Sequence, residues 1–242
     1  MAKENEGAPA AIESRKIMIG NEQAHYLKAG SGPPVVLIHG GASDSRDWAG
    51  TMAALASRYT LYAPDLIGFG QSERSREGYY LSDLTSFTLG FLEALDLDAP
   101  VLVGHSMGGR VCLDIALKHP GKVLKLVLVD AAGFGPGSRW GTLLMTFFWL
   151  ARKLLGMPQP YPKFLAREGE NWVYADDLPR LSVPTLIIWK RYDPYLPLAQ
   201  ARRAGELIPE ARLVVLPGYG HAPHEQNREA FRKLLEDFMD HA

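Results

Sequence analysis

The stretch Val101-Leu102-Val103-Gly104-His105-Ser106-Met107-Gly108-Gly109 constrains this chain more than any other. A β-branched apolar run feeds directly into G-x-S-x-G, and a helical pattern follows from Arg110. So sharp a strand-to-helix turn holds its central serine in a strained backbone conformation and lifts the hydroxyl above the sheet edge. Positions 104 and 108 must be small, because side chains there would collide with the strand or helix packed across the turn. Five residues can match by chance, and a serine in a turn can be purely structural. The context decides: strand and helix are both legible here, and later segments carry the partners a nucleophilic serine requires.

Alternation organises the rest of the chain. Arg15–Ile19 and Gln23–Ala29 read as two strands joined by a Gly20-Asn21 turn. Val35–Ile38, Thr60–Ala63, Val101–Val103, Leu124–Val129, 184–189 and Arg212–Leu216 are short apolar runs, as expected of strands buried on both faces. Helical patterns lie between them, at Trp48–Arg58, Leu81–Leu95 (Ser82, Asp83 and Thr85 suit its first turn), Met107–His119, Ala199–Ile208 and Gln226–Asp240. Strands alternating with helices predict an α/β fold with a mostly parallel central sheet covered by helices on both faces. The alternation breaks between Ala131 and Ser182, where no strand of the same kind is legible. One apolar helix, about Arg139–Leu155, stands there between Gly/Pro clusters. The expectation is a single domain over 1–242 with a short helical insertion at 133–181 over the sheet's C-terminal edge.

Composition excludes several partners. With 242 residues, 47% of them apolar, one domain can bury a large core. A net charge of −1 offers no general attraction for nucleic acid or an anionic membrane. Cys112 is the one cysteine and reads as a small buried hydrophobe. The N-terminal segment lacks an apolar signal core, and the longest apolar runs fall short of a membrane span. A cytoplasmic location is the expectation. Neither metal-ligand spacing nor a dinucleotide glycine fingerprint is present, so no cofactor is expected.

A serine hydroxyl is a weak nucleophile unless a base contacts it and an acid orients that base. In elbows of this kind, acid and then base follow the serine in the chain, on loops after later strands. Asp193 lies just past 184–189, and His221 just past Arg212–Leu216. Asp130, at the end of Leu124–Val129, is the rival acid, and His224 the rival base. Asp65 reads as a loop-organising residue. His39-Gly40-Gly41 follows Val35–Ile38, so the N–H groups of Gly41 and Met107 can form an oxyanion hole.

With these segments, the chain resembles the α/β-hydrolase superfamily. It is similar to the lineage of carboxylesterases, meta-cleavage C–C hydrolases and proline iminopeptidases. The matching segments are Val35–Gly40, Pro64–Ser72, Gly104–Gly109, Val183–Trp189 and Gly220-His221-Ala222-Pro223. The resemblance implies nucleophile Ser106, acid Asp193, base His221, and oxyanion donors Gly41 and Met107. Three departures stand out. Lys190 replaces a usual glycine, which predicts distortion of the loop carrying Asp193. The glutamate after His221 is displaced by one position. The insertion is shorter than the usual cap of this lineage.

The run Leu143–Leu150 admits three readings: a lid helix packed on the core, a wall of the acyl pocket, or a contact with a dimer partner or membrane surface. On the pocket reading, Trp140, Leu144, Phe147 and Phe148 bind an apolar acyl group. The expected activity is hydrolysis of small-molecule carboxylic esters by a Ser-His-Asp triad. C–C hydrolysis, thioester or lactone cleavage, and a non-catalytic hydrolase-like binder remain alternatives. His105, in place of the asparagine common before the nucleophile of C–C hydrolases, argues for an ester.

Overall fold

A computed structural model describes residues 11–157, 162–165 and 175–241. Eight strands form one sheet: β1 (Glu13–Ile19), β2 (Glu22–Ala29), β3 (Pro34–Ile38), β4 (Thr60–Pro64), β5 (Val101–His105), β6 (Lys125–Val129), β7 (Thr185–Tyr192) and β8 (Arg212–Tyr219). Their spatial order is β1-β2-β4-β3-β5-β6-β7-β8. β2 runs antiparallel to β1 and β4, and every other pairing is parallel.

The helices explain why the inner strands show no polar alternation. Along β3, Val36 and Ile38 join one buried cluster, Val35 and Leu37 the other. Helices α2 (Leu81–Ala94), α3 (Met107–Lys118) and α5 (Leu198–Leu207) cover the first face, with Phe91, Ile115 and Ala204 in its core. Helices α1 (Ala49–Leu55) and α6 (Arg228–Asp240) cover the second, through Leu55, Phe231 and Leu235. Each such large side chain contributes about 1.5–3 kcal/mol by leaving water. Cys112 is fully buried in the core, a small apolar side chain on α3.

Several boundaries differ from the sequence-based expectation. The pattern over 48–58 divides into a 3-10 turn, Ser45–Trp48, and the shorter α1, which ends at Leu55. The last helix starts at Arg228, after a separate turn at Pro223–Gln226. At the start of α2 the carboxylate of Asp83 accepts the Tyr80 N–H at 2.9 Å. β7 and β8 run three residues past their apolar runs. Tyr192 pairs with Tyr219 beyond a register shift, and ladder hydrogen bonds do not require apolar side chains. A two-residue ladder, Gly78–Tyr79 with Lys163–Phe164, places a short strand in the segment where none was expected. The apolar helix α4 spans Arg139–Leu154, with Ser138 accepting the Gly141 N–H.

Candidate active site

The turn between β5 and α3 places Ser106 at φ 51°, ψ −115°. That is a left-handed backbone for a non-glycine residue, held by bonds on either side. Ser106 N–H donates to Val129 at 2.9 Å, and its carbonyl accepts Ala132 N–H at 2.9 Å. A Cβ at Gly108 would meet the carbonyls of Ile38 and His39, which explains the small residue there.

Three loops from separate strand ends converge on the serine. His221 Nε2 lies 2.9 Å from Ser106 Oγ, and His221 Nδ1 lies 2.6 Å from Asp193 Oδ2. Asp193 Oδ1 also accepts the N–H groups of Tyr195 and Leu196, at 2.7 and 3.0 Å. Those bonds fix the carboxylate on its loop, so a nearby imidazole meets an oriented acceptor.

Lys190 does not displace this loop. It is buried in β7, and its ammonium donates to the Pro217 carbonyl at 2.9 Å and to Asn227 Oδ1 at 2.6 Å. The lysine thereby ties the acid-bearing loop to the end of β8 and the start of α6. Nothing in the 184–189 pattern announced that clamp, since its partners come from distant segments.

Asp130, the rival acid, sits further away. Its Oδ2 is 4.0 Å from His221 Nδ1, and its Oδ1 accepts the Lys190 N–H at 2.8 Å. Burial first, and the neighbouring Asp193 charge second, push its carboxyl up to about 8. His224, the rival base, does not reach the serine; it packs against Trp48, with ring centroids 4.4 Å apart. Burial and the charge of His221 lower it to about 3. Asp65 organises its loop as expected, accepting from Ser45 N–H, Gln71 N–H and His25 Nδ1 within 2.8 Å. His39 accepts the Leu66 N–H through Nε2 and donates through Nδ1 to the Gly40 carbonyl, which shapes the loop carrying Gly41.

A cavity of about 600 Å³ opens over Ser106. Gly41, Met107 and His221 line it, as do Tyr195 and Leu196. α4 contributes Gly141, Thr142, Met145 and Thr146. Trp140, Leu144, Phe147 and Phe148 are not among the lining residues and stand exposed. The expectation for those four is therefore corrected. The helix turns its Gly/Thr/Met flank to the cavity, and bulk alone could not reveal which flank faces inward. Sequence reasoning missed Tyr195, whose ring centroid lies 5.1 Å from that of His221.

Among the described residues, two groups of side chains bring metal-ligating atoms together. Asp130, Asp193 and His221 form one, but the His221–Asp193 bond already occupies it. Asp47, His105 and His224 form the other. His105 Nε2 donates to the His221 carbonyl at 2.5 Å. Its Nδ1 and both ring nitrogens of His224 have no hydrogen-bond partner among the described residues. These three residues are the ones that could hold a divalent ion.

The α/β hydrolase fold family matches residues 33–163 and 159–228, and the chain belongs to it. An uncharacterised protein of Mycobacterium tuberculosis is 30% identical over 96% of this chain and 82% of its own length. The 2-hydroxy-6-oxo-2,4-heptadienoate hydrolase of Pseudomonas putida is 28% identical over 93% of this chain and 95% of its own. Among solved structures, a meta-cleavage product hydrolase of Pseudomonas fluorescens superposes with a TM-score of 0.77 at 28% identity. That likeness covers 93% of this chain and 97% of the other.

Proposed function

We propose that this hydrolase cleaves carboxylic esters with apolar acyl groups through an acyl-enzyme on Ser106. The observation that carries the reading is His221 bridging Ser106 Oγ and Asp193 Oδ2 at 2.9 and 2.6 Å. His221 Nε2 takes the hydroxyl proton as Ser106 attacks the ester carbonyl, and Asp193 holds the Nδ1–H. The N–H groups of Gly41 and Met107 receive the developing oxyanion, and a donor of this kind is worth about 3–4 kcal/mol of barrier. His221 then passes its proton to the leaving alcohol, and water resolves the acyl-enzyme by the same route. The described part of segment 133–181 serves as a cap, with Met145 and Thr146 bounding the acyl site, while 158–161 and 166–174 of that segment lie outside the described residues.

Similarity to the heptadienoate hydrolase supports a second reading, C–C bond hydrolysis on the same triad. The substrate in that name is a carboxylate, which a cation would hold best. Among the described residues lining the cavity there is no Lys or Arg, and Asp47 is acidic. That favours a neutral ester.

Turnover of p-nitrophenyl acetate, with 2-hydroxy-6-oxo-2,4-heptadienoate assayed beside it, separates the two. The ester reading requires turnover of the first, lost in Ser106→Ala, and organophosphonate labelling at Ser106. Labelling at another residue, or turnover of the dienoate alone, would overturn it.

A further inference from the structure

A second cluster of side chains lies beside the triad, and ester cleavage does not use it. Asp47 comes from the 3-10 turn Ser45–Trp48, His105 from the end of β5, and His224 from the turn Pro223–Gln226. Each places one donor atom within 4.8 Å of one from either of the others. His105 and His224 are 7% and 3% exposed, and Asp47 is half-buried. Asp47 and His105 also line the cavity over Ser106.

Three observations at this cluster point to a ligand. The first is a tautomer. A carbonyl can only accept, so His105 Nε2 carries the proton that it donates to the His221 carbonyl. Nδ1 keeps its lone pair, and it has no hydrogen-bond partner among the described residues. A backbone carbonyl on the far nitrogen is how metal-binding imidazoles are commonly oriented. The second is His224. Its ring packs against Trp48, with centroids 4.4 Å apart, and neither ring nitrogen has a hydrogen-bond partner among the described residues. Buried polar atoms are costly to leave unmatched. The third is Gly40. A Cβ there would stand 3.0 Å from His105 Nδ1, so the glycine leaves that lone pair uncovered.

We propose that Asp47, His105 and His224 bind one zinc ion. Two imidazole nitrogens and a carboxylate oxygen are a zinc donor set, and tetrahedral coordination puts ligand atoms about 3.3 Å apart. Asp47 sits half-buried on a short turn, so its carboxylate is the ligand placed to close on the two packed rings. The same donors serve iron(II), which takes a larger shell. Trp48 and Gly40 crowd the two rings, and that enclosure favours the four ligands of zinc. The fourth position opens on the cavity, where water completes the shell. The ion ties the nucleophile elbow to the turn after His221 and to the 3-10 turn. No ligand-spacing motif announces the site, because its ligands come from three distant segments. The proposal does not depend on the ester reading.

Titration calorimetry of the full chain with zinc chloride tests it. One ion should bind per chain, and magnesium should not displace it. Asp47→Asn and His224→Phe should each weaken binding at least about tenfold, since changes beyond the ligand shell already cost that much. Phenylalanine keeps an aromatic ring against Trp48, and far-UV circular dichroism checks that both variants fold. X-ray absorption at the zinc edge should give nitrogen and oxygen neighbours at about 2.0–2.2 Å. Zinc should raise the urea midpoint of the wild-type chain, a chelator should reverse the rise, and both variants should respond less. No zinc uptake by the wild-type chain would overturn the proposal and leave the two imidazoles to ordered water. Uptake that both variants retain would overturn it as well, because the ion would then sit elsewhere. So would a sulfur neighbour at about 2.3 Å.

Discussion

α3 and α4 are both rich in apolar residues, and their surroundings are opposite. Ten of the 12 residues of α3 are buried, because it stacks on the sheet with its first turn at Ser106. Of the 16 residues of α4, Gly141 alone is buried. In α3 each side chain is chosen by the neighbours it must fit, and the same fit aims the serine. In α4 the backbone is set by its own hydrogen bonds and the Ser138 cap, while one narrow flank touches the cavity. Apolar content marks a helix for burial; it does not say what buries it.

The largest expected contrast lies in the loops that serve the α3 end. Asp193→Asn should lower kcat/KM about 10⁴-fold, as loss of the orienting carboxylate does in other triads. Asp130→Asn should leave it within a few-fold, since that side chain lies 4.0 Å from His221. Ester kinetics on the two variants check this, and reversed magnitudes would make Asp130 the acid.

Stability should divide along the same line. Leu113→Ala, fully buried on α3, should cost about 2–5 kcal/mol in urea unfolding. Phe147→Ala, 70% exposed on α4, should stay within about 0.5 kcal/mol. A large loss at Phe147 would mean that this face is packed in solution.

The pH dependence comes from buried groups around the triad. Asp130 is raised to about 8, so the fold keeps a proton that the unfolded chain releases near 4. Its contribution is complete below that unfolded value and is lost as pH rises towards 8, by at most about 1.4 kcal/mol per pH unit. Asp130→Asn should flatten that slope and keep an oxygen for the Lys190 N–H. His224 acts in the opposite direction. Lowered to about 3, it contributes fully above about 6.5, and that contribution is lost as pH falls. His224→Phe should remove this part of the acid sensitivity in the same urea titrations.

The smallest effect concerns specificity. Met145→Ala should change the preference between short and long p-nitrophenyl esters by up to about tenfold. Phe147→Ala should leave it unchanged, since Phe147 does not line the cavity. Equal effects would place both residues at the acyl site.

The sequence by itself determined the order of strands and helices, the elbow at Ser106, and which loops carry Asp193 and His221. These are local matters, set by apolar periodicity, by small residues where backbones touch, and by turn chemistry. Only the tertiary structure placed Asp193 rather than Asp130 in hydrogen-bond contact with His221, because both end strands on the same rim and a difference of 1.4 Å separates them. It also decided the part played by Lys190, whose two acceptors lie 27 and 37 residues further on. The inward flank of α4 was settled the same way. A helix wheel shows which residues share a face, but which face meets the cavity depends on how the whole segment is seated against Tyr195 and Pro194, the contacts of Gly141 and Ser138.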